Sequence, residues 1–192
     1  MPLAFLNFGM ASREFETTKD EHRWHFLPCI ESHLRLISKK LDKAFESGLK
    51  SKLLYVGSLL KIVSHDIADV KTKLVVLVSI IELLLTHNPD FNRFNVEDSI
   101  GKQFRLKASL LIYLNDKSQD INEIKNKLKG IYNLRSSIAH GDFKKVEKYI
   151  KDHLNDDENN IEELIFALYF YIRAILSEYL NDPTFVDFLK EN

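Results

Sequence analysis

Residues Val70 to Leu85 read Val-Lys-Thr-Lys-Leu-Val-Val-Leu-Val-Ser-Ile-Ile-Glu-Leu-Leu-Leu. Val75, Val76, Leu77, Val78, Ile80, Ile81, Leu83, Leu84 and Leu85 leave almost no polar face. A helix apolar nearly all round is buried on every side, so this stretch, continued to about His87, is expected at the centre of the fold. Its β-branched residues also suit a buried strand, but its length and lack of alternation favour helix. Its most apolar run, Leu74 to Leu85, is far short of the ~20 residues a membrane-spanning helix needs. Asn88 and Pro89 are the expected stop.

Working outward, the same 3.6-residue period recurs on both sides. Pro28 can occupy a first helical position, and a helix from there to Glu46 places Ile30, Leu34, Ile37, Leu41 and Phe45 on one side. Gly48 ends it, and a second helix spans about Ser51 to Ser64; the short turn between them predicts an antiparallel hairpin. After the central helix comes a linker, Asp90 to Asn95. A helix then runs from Val96 to about Leu114, with Ile100, Phe104, Leu111 and Leu114 inward. Another begins near Asp120, capped by Asp120 or Ser118, turns Ile121, Ile124, Leu128, Ile131 and Leu134 inward, and ends at Gly141. A short helix, Phe143 to His153, precedes a polar break at Asn155 to Asn160. A long amphipathic helix, Ile161 to Leu180, follows, and Phe185 to Leu189 adds a last turn. No period-two pattern survives. The expected fold is an all-α helical bundle over residues 70–192, preceded by a helical segment over residues 1–69.

Composition narrows the function. The chain has 192 residues, a net charge of -1 and one cysteine. It is long enough for one substantial core. The near-zero charge excludes a polycationic nucleic-acid coat but not a local basic site. A single cysteine excludes a disulfide framework and fits a reducing compartment. Met1 to Met10 is apolar but lacks a basic flank and a small-residue cleavage pattern, so no export signal is expected, and the cytoplasm is the expected location. His22, His25, Cys29 and His33 fall near helical spacing, as zinc ligands can. Pro28 interrupts them and no second cysteine joins them, so ordinary histidines on a solvated helix are expected, not a metal site.

The segment richest in chemistry is Ile131-Tyr-Asn-Leu-Arg-Ser-Ser-Ile-Ala-His-Gly-Asp142, in which Arg135 is followed by four residues and then His140 and Gly141. Five positions on a helix are about 140° apart. Arg135 and His140 therefore share a face only if the helix frays at the end that Gly141 supplies. Ser136, four before His140, does share its face. A histidine in a last turn lies near carbonyls without helical partners, which favours its protonated form. An imidazole that moves protons beside a guanidinium that holds phosphate charge is what metal-free RNA cleavage requires.

On these residues the chain resembles the HEPN superfamily, most closely its Apea-like branch. Arg135 and His140 match that family's arginine-histidine signature at the end of a late helix. The apolar helix carrying Glu82 and the segment Phe104 to Leu111 look like its first and second core helices. One departure is Ser136, where active members commonly carry Asn, Asp or His. The resemblance implies a homodimeric, metal-independent endoribonuclease without cofactors. The 2′-hydroxyl would attack the adjacent phosphodiester, leaving a 2′,3′-cyclic phosphate and a 5′-hydroxyl. His140 would be the acid or base and Arg135 would stabilise the transition state, with Ser136 and Asn133 positioning substrate. By resemblance alone, such domains serve as toxins or in anti-phage defence.

Other residues admit more than one reading. A buried carboxylate needs a partner, and for Glu82 the family packing implies Arg135; Arg105 and an exposed bundle seam are the alternatives. Lys129, Lys144 and Lys145 lie among lysines flanking the motif that could guide RNA, or that form a solvated face balanced by Glu123, Glu147 and Asp152. Tyr132 could stack a base or belong to the core or a dimer interface. The alternative function is a non-catalytic HEPN-like module for RNA or nucleotide binding or for protein assembly. A further possibility is a regulatory domain whose first 69 residues meet a protein partner.

Overall fold

The computed structural model describes residues 20–46, 48–87, 99–154 and 160–191, with side chains from residue 31 onward. Among these residues the structure is helical, with no strand: α1 (Asp20–Glu46), α2 (Lys50–His65), α3 (Val70–Leu85), α4 (Ile100–Asn115), α5 (Ile121–Ala139), α6 (Phe143–His153), α7 (Ile161–Asn181) and α8 (Pro183–Glu191). The expected stop at Asn88 and Pro89, the linker after it, the helix start at Val96 and most of the break from Asn155 lie outside the described residues. So do the side chains of His22, Trp24, His25 and Cys29. None of the described helices is long and apolar enough to cross a membrane.

The chain divides into two compact units, Met1–Lys61 and Ile62–Asn192, and the division falls within α2 rather than at residue 69. In the first unit α1 begins at Asp20, so Pro28 lies inside the helix and not at its start. An interior proline forfeits one backbone hydrogen bond. The eight helical residues before it contain no other breaker, and the helix runs through. Gly48 takes a φ of 86°, the left-handed turn that separates α1 from α2.

The second unit is a bundle with α3 at its centre, packed against α4, α5, α7 and α8. Leu74, Leu77, Val78, Ile80, Ile81, Leu84 and Leu85 of α3 are fully buried. Each such side chain contributes about 1.5–3 kcal/mol. The sequence suggests burial on every side, but burial is not complete all round. Among the described residues Leu83 is 36% exposed, and Val75 and Val76 are half-buried. α3 also stops at Leu85, with Thr86 as its cap, short of His87.

Caps set the other boundaries. Asp69, Ser99 and Asp120 accept backbone N–H groups in the first turns of α3, α4 and α5. α8 is a full helix rather than one turn. Pro183 fits its first position, where no N–H is needed, and the Asp182 carboxylate accepts from the Phe185 N–H. Its end is held by two donors, the Lys107 ammonium (3.0 Å) and His87 Nδ1 (2.6 Å), which meet at the Lys190 carbonyl. α6 packs on α5 through Val146 and Ile150, and Tyr149 lies over Gly130 so closely that a Cβ there would stand 3.0 Å from the Tyr149 hydroxyl.

Candidate functional site

α5 continues in helical register to its last residue. The His140 N–H donates to the Ser136 carbonyl at 3.0 Å. The Gly141 N–H then donates to Ile138 and the Asp142 N–H to Ser137, with Gly141 at a φ of 68°. These two reversed bonds around a left-handed glycine form a Schellman motif. Asp142 at once caps α6 by accepting from Lys145 N–H. The glycine stop is thus where the sequence places it. The fraying that would bring Arg135 and His140 together is absent, because the closing hydrogen bonds keep the last turn wound.

Nothing lies within 4 Å of a Cβ at Gly141, so only backbone strain opposes a side chain there. Gly141→Ala should cost about 1–2 kcal/mol, and Gly141→Asn visibly less, since asparagine tolerates the left-handed region. Urea midpoints of the two variants check this.

The consequence for the motif follows from helix geometry. At about 100° per residue, Arg135 continues the inward line of Ile124, Leu128 and Ile131. Its side chain is 23% exposed, whereas His140 stands in solvent at the helix end. Arg135 Nη2 lies 2.8 Å from Glu82 Oε2 and donates to Ser79 Oγ at 3.4 Å. The partner of Glu82 is therefore Arg135, not Arg105. Arg135 Nε is buried with no hydrogen-bond partner among the described residues. Such an orphaned donor costs about 1–3 kcal/mol, which other contacts must offset.

Tyr132 completes the cluster. Its ring is half-buried, packs against Phe104 at 5.2 Å between centroids and faces the Arg135 guanidinium at 6.0 Å. Gly101 leaves room for it, since a Cβ there would approach Tyr132 Cε1 to 2.8 Å. Its ring and the Arg135 guanidinium together border the Glu82 carboxyl electrostatically, and both hold that carboxyl down. The ring is thus held between Phe104 and the Arg135 guanidinium.

Electrostatically the pair is a contest. Burial pushes the Glu82 carboxyl above the usual carboxylate range; the Arg135 charge and the Tyr132 hydroxyl offset only part of this. The 2.8 Å contact suggests a strong pair, yet desolvation is the larger effect, as is common for ion pairs taken out of water. Burial, and next the Glu82 charge, raise the Tyr132 hydroxyl.

The remaining candidates lie apart from this cluster. Asn133, Lys129 and Lys144 are exposed, and Ser136 is half-buried. Lys145 is exposed and pairs with Asp142 at 2.8 Å, which raises the lysine and lowers the aspartate. The structure thus joins Glu82, Arg135 and Tyr132, adds Ser79, and leaves His140, Ser136, Asn133 and the lysines outside. Ser79 was missed, though a signal existed. Ser79 and Glu82 are the two polar residues between Leu74 and Leu85, three apart, and both reach the same guanidinium. Among the described residues no group of His, Cys, Asp and Glu side chains could hold a metal ion. No protein-family model, curated protein or solved structure matches this chain.

Proposed function

We propose that the chain is a metal-independent, HEPN-like endoribonuclease, with Arg135 and His140 as the groups that act on the scissile phosphate. The observation that carries the reading is an exposed imidazole at a tightly closed helix end, one turn beyond an arginine fixed by Glu82 and Tyr132. His140 would shuttle the proton of the attacking 2′-hydroxyl or the leaving 5′-oxygen, and Arg135 would counter charge on the phosphorane-like transition state. Within one chain the two groups face directions about 140° apart. They therefore meet on one phosphate when Arg135 turns away from Glu82, or when the second chain of a homodimer supplies the missing half. A role as toxin or in anti-phage defence, in the cytoplasm, belongs to the same proposal.

The test is cleavage of single-stranded RNA by the purified chain in excess EDTA. The expected products end in 2′,3′-cyclic phosphate and 5′-hydroxyl. Cleavage abolished by EDTA, or products with 3′-hydroxyl ends, would sink the mechanism.

A second reading is favoured by one observation. Arg135 is already paired inward with Glu82, which neutralises the charge a phosphate would need. A non-catalytic RNA-binding or assembly module needs no change in that pair. Intact RNA after prolonged incubation at high protein concentration would support it.

A further inference from the structure

The outward face of α5 carries basic and neutral polar residues and no carboxylate. At about 100° per residue, Lys125, Asn126, Lys129, Asn133, Ser136 and His140 fall, with Asn122, within one arc of about 100°. No carboxylate and no large apolar side chain lies in that arc; Glu123 and Lys127 project elsewhere. Lys125, Asn126, Lys129, Asn133 and His140 are exposed and Ser136 is half-buried, so the stripe faces solvent along the whole helix. On one side it is bordered by Tyr132 and on the other by α6, which crosses at Gly130 with Tyr149 stacked on His153 at 4.5 Å.

An ordinary solvated helix face mixes charges of both signs at i,i+4 spacing. This one alternates ammonium groups with amides, a hydroxyl and an imidazole. Ammonium groups neutralise phosphates, while side-chain amides both donate to and accept from base edges and phosphate oxygens. We propose that this face is a track for single-stranded nucleic acid, the strand running along α5 from Lys125 toward His140. The inference takes its partner class from the RNA-acting reading above and adds the path. Lys125 and Asn126 join the binding surface. Lys145, tied to Asp142, and Tyr132, packed against Phe104, do not belong to it.

The experiment measures binding of the full chain to a fluorescent 2′-O-methyl oligouridine, which has no 2′-hydroxyl to attack, by anisotropy over a range of salt. The stripe variant is Lys125→Gln/Lys129→Gln. The control, Lys127→Gln/Arg173→Gln, removes the same charge from the opposite side of α5 and from α7. Every substituted residue is exposed, so both variants should keep the wild-type melting curve. Losing two phosphate contacts should weaken binding about tenfold near physiological salt and flatten the log K against log salt slope by about 1.4. The control should keep the wild-type slope. Equal losses in both variants would mean a diffuse charge effect and overturn the track. Wild-type binding that is undetectable, or unmoved by the stripe substitutions, would overturn it too. Stripe-dependent binding by a chain that leaves ordinary RNA intact would uphold the track and sink only the nuclease.

Discussion

Arg135→Met should destabilise the bundle by an amount that grows with pH. Methionine keeps most of the apolar stem and removes the charge, so the loss isolates the ion pair. In the wild type, burial raises the folded-state value of Glu82 above the usual 4.5. A raised carboxyl binds its proton more tightly folded than unfolded. Its contribution to stability is therefore full below the unfolded value and is lost as pH rises through the folded one. Arg135 is what limits that loss. Without it the folded value climbs further, and ionising Glu82 leaves a carboxylate only 14% exposed with no cation beside it. At pH 4.5 and below the variant and wild type should differ little. At pH 8 the gap should reach about 2–4 kcal/mol, under the 3–5 typical of a fully buried pair, because Arg135 keeps some contact with water. Urea midpoints at the two pH values give the answer. A gap that does not change with pH would show that Arg135 contributes packing alone. In a second check, adding Glu82→Gln to the Arg135→Met chain should recover stability at pH 8, since it removes the stranded charge.

His140→Ala should abolish cleavage without touching the fold. The side chain is exposed at the end of α5, and the bonds that close that helix come from backbone groups. The urea midpoint should therefore stay within about 0.5 kcal/mol of wild type, as for most surface substitutions. Loss of a general acid or base typically costs 10²–10⁴-fold in rate, roughly 3–5 kcal/mol of barrier. Product formation followed on a defined single-stranded RNA measures it. Full activity in the variant would remove His140 from the chemistry. Glu82→Gln should behave differently and lower both stability and cleavage, because it acts through Arg135. The contrast separates a group that meets the phosphate from one that positions its neighbour.

Much of this architecture was legible from local pattern. The caps at Asp120 and Gly141, the helix Phe143 to His153 and the amphipathic stripe of α7 each depend on residues within a turn or two. Their physics is complete inside the segment that contains them. Pro28 was misread for the opposite reason. Local preference gave it a helix start, but its cost of one hydrogen bond is small beside the twenty-odd others of a long helix.

The candidate site divides along the same line. That Arg135 lies on the inward line of α5 and His140 about 140° away is a property of the sequence and the helix period. That the inward arginine meets Glu82 and Ser79, that Tyr132 is enclosed by Phe104 and Gly101, and that Leu83 is partly exposed could come only from the tertiary structure. Periodicity tells which side of a helix turns inward. It does not tell which residue 53 positions earlier in the chain will face it, because that depends on how closely and at what height two helices pack. The sequence by itself therefore determined an all-α chain with a histidine at a closed helix end. The packing of α3 against α5 decided that its arginine is held inside.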